Sequence, residues 1–148
     1  MSDAARLTSF RLADSFLPVG SYTASYGLEQ FVQEDRVEGP EDLETLLVTY
    51  LRRQVGPADL VALRAAHAAT REGNVEGVRR ADRRIAATTL SAEFRESAQQ
   101  SGRRLLSLQR ELRDGAVLAE YGDAVDAGEV PGTYAVVLGV ATATAGVD

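Results

Sequence analysis

The chain has 148 residues, enough for one domain with a real core. It carries 22 acidic against 16 basic residues, all of the latter arginine, and its net charge of −6 makes nucleic acid a poor partner. Cysteine is absent, which excludes disulfides, thiolate catalysis and cysteine-based metal sites. The opening MSDAARLTSF holds no apolar stretch of signal-peptide length, and no apolar run reaches the ~18 residues of a membrane span, so the expectation is a cytoplasmic protein without membrane contact.

A first helix is predicted over Arg6 to Leu17, with Leu7, Phe10, Leu12 and Phe16 as its apolar side. Pro18-Val19-Gly20 breaks it. Ser21 or Thr23 is then placed to cap a second helix, because a hydroxyl oxygen can accept from a free amide there. Leu28, Phe31 and Val32 would give that helix its inner face. Gly39-Pro40-Glu41-Asp42 is a strong restart, since proline suits the first helical position and acids suit the first turn. Leu43, Leu46, Leu47, Tyr50, Leu51 and Val55 then recur at three- and four-residue steps, the clearest amphipathic pattern in the chain. Gly56-Pro57 should kink or end that helix.

An alanine-rich helix follows to about Thr70, and Glu72-Gly73-Asn74 reads as a turn. Val75, Val78 and Ile85 mark an arginine-rich helix. Ser91 to Arg113 is predicted as one long helix, with a narrow seam of Phe94, Ala98, Ser101, Leu105, Leu108 and Leu112. Gly102 inside it costs ~1 kcal/mol relative to alanine, which suggests close backbone approach. Asp114-Gly115 stops it. Val117, Leu118, Tyr121 and Val125 form a short helix closed by Gly128 and Pro131. Only Tyr134 to Val140 hints at period-two alternation. The whole reads as all-α, a compact bundle of about six to eight helices in a single domain over 1–148.

The last segment, TYAVVLGVATATAGV, is apolar on nearly every face and as a helix should be buried on all sides. Gly132, Gly139 and Gly146 recur every seven residues, beside Ala135 and Ala143, as a small stripe for close approach. The leading expectation is cover from a second copy or from a downstream half. The alternative is a central helix covered by the preceding ones.

Few residues offer chemistry. His67 is the one histidine, so a two-histidine metal set cannot be assembled, and without lysine there is no phosphate-gripping P-loop. No metal, cofactor or catalytic residue is assigned. Arginine pairs such as Arg79-Arg80 and Arg83-Arg84 read as solvated faces with intrahelical ion pairs.

Three ordered stretches resemble the urease accessory protein F family (UreF). In LPVGSYTASYGLE, Leu17, Pro18, Gly20, Ser25, Gly27, Leu28 and Glu29 match the family's N-terminal signature. In SAEFRESAQQSGRRLL, Ser91, Glu93, Arg95, Gly102, Arg103 and Leu105 correspond to a second motif. YAVVLGVATATAGV, around Gly139, is similar to the glycine-punctuated apolar helix that follows in the family. The chain departs from the pattern at Ser21, Ala92 and Thr133, where glycine, arginine and histidine are common, and it resembles roughly the first two-thirds of such proteins. The resemblance implies an all-helical, often dimeric, non-catalytic assembly factor. It would join an accessory protein of the UreD/UreH type and recruit a nickel-carrying GTPase of the UreG type to the urease apoprotein.

On that basis Pro18, Gly20, Gly27, Gly102 and Gly139 are expected to set the architecture. Tyr22, Ser25, Tyr26 and Glu29 would form a polar stripe that meets a partner, with Gln33 at its end and Glu29 as its charged centre. The alternative pairs Glu29 with Arg36 and packs Tyr26 in the core. Glu93 and Arg95, about 200 degrees apart on one helix, would place one side chain inward and one outward. An intramolecular ion-pair network is the alternative for both. Arg103 would bridge to Gln99 or Gln100, or reach a partner acid. Two other readings remain: a helical-bundle enzyme or ligand-binding regulator using Glu29 and Glu93 in a concave pocket, and a plain oligomerisation module.

Overall fold

The computed structural model describes residues 1–20 and 27–148, and every described element is helical. Helix α1 spans Asp3–Leu12 and begins where the Ser2 hydroxyl accepts from the Ala5 amide at 3.2 Å. It buries Ala5, Thr8 and Leu12, while Leu7 and Phe10 are exposed. It stops five residues short of the expected Leu17. Asp14 explains this: its carboxylate accepts from the Phe16 amide at 2.9 Å and its carbonyl from the Leu17 amide at 3.1 Å, a local turn that competes with helix continuation.

Helix α2, Leu28–Gln33, begins after Gly27 at φ 86; Ser21 and Thr23, the expected caps, lie outside the described residues. It buries no residue, against the expectation for Leu28, Phe31 and Val32. The Arg36 guanidinium instead lies 4.8 Å from the Phe31 ring centre and covers it.

Helix α3, Pro40–Tyr50, starts as expected, with Pro40 in the first turn and Glu41 and Asp42 beside it. Gly56-Pro57 does not end the rod. Residues Leu51–Asp59 wind as a π-helix that leads directly into α4, Leu60–Arg71. Proline lacks an amide hydrogen and crowds the preceding turn, and the wider π winding accommodates both. Helix α3 buries nothing. Among the described residues Leu47 and Leu51 stay 51% and 56% exposed.

The body of the bundle is built from α4, α5 (Val75–Thr88), α6 (Ala92–Leu112), α7 (Ala116–Asp126) and α8 (Tyr134–Thr144). Asn74 caps α5 and Ser91 caps α6 through their side chains. Helix α8 is the axis. Val136, Val137, Val140 and Ala141 are fully buried, and it packs chiefly against α4 and α6, with lesser contact to α5, α7 and α1. Preceding helices therefore cover these residues, the alternative of the two expectations. The period-two hint at Tyr134 to Val140 is overruled by helix. Of the three evenly spaced glycines only Gly139 lies in α8, since Gly132 and Gly146 sit at left-handed φ of 74 and 71 in turns. The small stripe is thus one contact point.

Two glycines permit the tightest approaches. A Cβ at Gly139 would run into the Leu63 carbonyl oxygen and stand 3.1 Å from the Ala66 Cβ, where α8 crosses α4. A Cβ at Gly102 would run into the Gly132 carbonyl oxygen and stand 2.7 Å from the Thr133 carbonyl carbon. The close approach expected at Gly102 is real. The buried face of α6 is Ser101, Gly102, Leu105, Leu106 and Gln109, rotated from the predicted seam so that Leu112 is half exposed.

Candidate functional site

The N-terminal signature folds into a turn before it reaches α2. Val19 is buried as an anchor, its amide donating to the Leu17 carbonyl at 2.7 Å. Gly20 adopts φ 78, where a side chain would be strained and would meet the Arg104 guanidinium of α6. Gly27 repeats the left-handed conformation at the start of α2. Tyr22, Ser25 and Tyr26 lie outside the described residues, as do Ser21 and Thr23. Glu29 is exposed in the first turn of α2 and makes no ion pair with a described residue. Arg36 turns to Glu34, at 4.0 Å, and to the Phe31 ring, so the expected alternative pairing with Glu29 does not form. Gln33 is exposed on the same helix.

The second motif divides its residues between two jobs. Glu93 is exposed at the start of α6. Arg95 turns inward, and its Nη1 donates to the carbonyls of Thr89 and Leu90 at 2.6 and 2.7 Å, closing the C-terminal end of α5. Neither joins an ion-pair network among the described residues. Arg103 donates from Nε to the Pro131 carbonyl at 3.3 Å, which replaces the expected bridge to Gln99 or Gln100. Glu93, Gln100, Arg103 and Arg104 share one shallow open groove on the outer face of α6. The fold thus brings Glu93 and Arg103 onto one surface and withdraws Arg95 from it.

The strongest polar constellation escaped the sequence reading. Asp82, in the arginine-rich run RRADRRI, has no solvent exposure. Its Oδ2 accepts from the Tyr121 hydroxyl at 2.8 Å and the Gly132 amide at 2.7 Å, and its Oδ1 from the Thr133 amide at 2.9 Å and hydroxyl at 2.6 Å. Four donors converge on one carboxylate, so its burial leaves no lone pair stranded. The link ties α5 to α7 and to the turn entering α8. Burial, followed by the charge and hydrogen bond of Asp82, holds the Tyr121 phenol far above its ordinary range. The sequence signal was present but faint: Asp82 falls three residues before Ile85 and four after Val78, on the buried stripe of α5.

A mostly apolar cleft of about 510 Å³ opens between the π segment, α5, α6 and α8. Gln54, Asp59, Arg95 and Ser101 are polar groups on its wall. Burial raises the Asp59 carboxyl above its ordinary value, partly offset by a hydrogen bond from Gln54. Glu29 and Glu93 do not line this cleft. His67 places Nε2 2.9 Å from the Val147 carbonyl oxygen. Among the described residues no three histidine or carboxylate groups converge as a metal site, and no helix is long and apolar enough to cross a membrane.

The family model for UreF matches residues 37–148, beginning past the N-terminal signature and taking in α3 through α8. A urease accessory protein UreF of Trichodesmium erythraeum is 34% identical over 143 residues, covering 97% of this chain and 62% of that protein. Urease accessory protein UreF 1 of Brucella melitensis is 30% identical over 138 residues, 93% of this chain and 57% of the relative. The UreF of Corynebacterium glutamicum is 28% identical over 137 residues, covering 93% and 59%. The chain therefore spans about three-fifths of the length of these curated relatives. An all-helical body, a glycine-notched long helix and a buried apolar axis, with a family match from residue 37 onward, lead to one assignment: the chain belongs to the UreF family.

Proposed function

We propose that this chain is a non-catalytic scaffold in urease maturation, acting as a single UreF-like domain in the cytoplasm. It joins a UreD/UreH-type accessory protein, engages a UreG-type GTPase that carries nickel, and presents both to the urease apoprotein, in dimeric form. The observation that carries this reading is the UreF match over residues 37–148, with relatives named as urease accessory proteins. The residue inventory supports the division of labour. One histidine, no cysteine and no lysine leave thiolate–imidazole nickel chemistry and P-loop nucleotide binding to partners.

The contact surface in this reading is Glu29 on α2, with Tyr22, Ser25 and Tyr26 preceding it, together with Glu93 and Arg103 on the outer face of α6. Arg95 supports that surface from within by fixing the α5–α6 junction. The alternative of an enzyme using Glu29 and Glu93 is weakened by their exposure away from the apolar cleft.

The test is reconstitution. The chain is co-purified with the UreD/UreH-type protein, the GTPase is added, and nickel loading of apo-urease is followed with and without it. Recruitment of the GTPase and faster loading are expected, and Glu29→Ala should slow loading while leaving the helical signal unchanged. Equal loading rates in the absence of the chain would end the scaffold reading.

A further inference from the structure

Helices α4 and α5 run antiparallel from the Glu72–Asn74 turn and leave a surface groove of about 630 Å³ between them. Its floor is small: Ala65, Ala69, Gly77 and Ala81 line it, and Gly77 lets α5 close directly on Ala69 of α4, which keeps the trough shallow. A floor of this kind lets another backbone come close.

The rim is charged and unpaired. Arg53, Arg80 and Arg84 are exposed, line the groove, and make no ion pair with any described residue. Their neighbours behave otherwise: Arg79 reaches Glu129 at 3.1 Å and Arg83 reaches Glu76 at 3.2 Å. In a chain of net charge −6, three uncompensated arginines around one apolar trough are a local inversion of sign. The charge is also polarised along the groove. Arg53 and Arg84 stand toward the end remote from the turn, Arg80 lies midway, and Glu72 lies at the turn end.

We propose that the α4–α5 groove receives one amphipathic helix of a partner polypeptide, with small apolar residues on its inner stripe and acidic residues in its C-terminal half. That helix lies antiparallel to α4. This direction sets its acids against the arginines, and its dipole places the negative end toward Arg53 and Arg84 and the positive end toward Glu72. The proposal stands apart from the urease reading, because it depends only on the groove and its charges.

The test uses the full chain and three fluorescein-labelled helical peptides, each of about eighteen residues and about 27 Å long. All share a leucine–alanine stripe. One carries flanking glutamates in its C-terminal half, one carries them in its N-terminal half, and one has lysine in place of glutamate. Anisotropy is expected to show the first binding best, with affinity falling at higher salt and at least about tenfold in the double variant Arg80→Glu/Arg84→Glu. Both arginines are exposed, so circular dichroism should show the variant folded. Three results overturn the proposal: no binding of the first peptide, equal binding of the lysine peptide, or indifference to the double reversal. Sedimentation supplies a fourth: a self-dimer that dissociates in the double variant would make a second copy the occupant.

Discussion

Removing a single hydroxyl at position 121 should reveal how much the buried carboxylate at Asp82 holds together. In Tyr121→Phe the ring still fills its fully buried site, and the carboxylate keeps three of its four donors. The loss is one hydrogen bond to a charged group, about 1.5–3 kcal/mol. For a chain of this size that lowers the melting temperature by about 4–10 °C. Asp82→Ala is the harsher change. It strands two amides and two hydroxyls, at about 1 kcal/mol or more each, which consumes much of a typical stability of ~5–15 kcal/mol. The double variant Asp82→Ala/Tyr121→Phe should cost less than the sum of the two, by about 1–2 kcal/mol, because the stranded phenol is gone.

Urea unfolding followed by circular dichroism measures all three. The phenol gives an independent readout: its folded pKa is raised, so stability is lost as pH climbs past the ordinary value of 10.0, where the unfolded chain releases the proton and the folded one does not. Near-ultraviolet absorbance should show a tyrosine that ionises only on unfolding, and Tyr121→Phe should delete that step. A Tyr121→Phe protein within about 0.5 kcal/mol of the parent, or a strictly additive cycle, would refute the reasoning.

Gly102→Ala gains ~1 kcal/mol of helix propensity but drives a methyl into the backbone of Gly132–Tyr134, so a net loss of about 2 kcal/mol is expected in urea unfolding. Asp59→Asn should leave stability unchanged or raised at neutral pH. The carboxyl is raised by burial, so the folded state binds the proton more tightly and stability rises as pH falls through the window above 3.8. The variant should flatten unfolding midpoints across that window, and an unaltered slope would count against the assignment.

Helix positions were legible wherever capping and punctuation were local. Pro40 with Glu41 and Asp42 opens α3 as the residue types predict, whereas Asn74, read as part of a turn, and Ser91, read as the first residue of the long helix, prove to be side-chain caps. Gly102 was legible too, because glycine inside a helix needs a reason. Orientation was less so. Periodicity along α3 reports an apolar side but not whether anything covers it, and α3 buries nothing. The end of α1 turned on the Asp14 carboxylate competing for amides, which no apolar pattern encodes. Asp82 was hidden for a related reason: its donors come from residues 39 to 51 positions away, so only the folded chain assembles them. For the second motif, spacing separated Glu93 from Arg95 by face but could not show that carbonyls, not carboxylates, wait for the guanidinium.

The continuous rod from α3 through the π segment into α4 has one further implication. Among the described residues of this rod, buried side chains occur at the α4 end alone, at Ala62, Ala66 and Ala69. The leading half is a cantilever whose leucines Leu47 and Leu51 face solvent. Covering their exposed faces would take apolar area out of water, a gain set against the ordering cost that any docking carries.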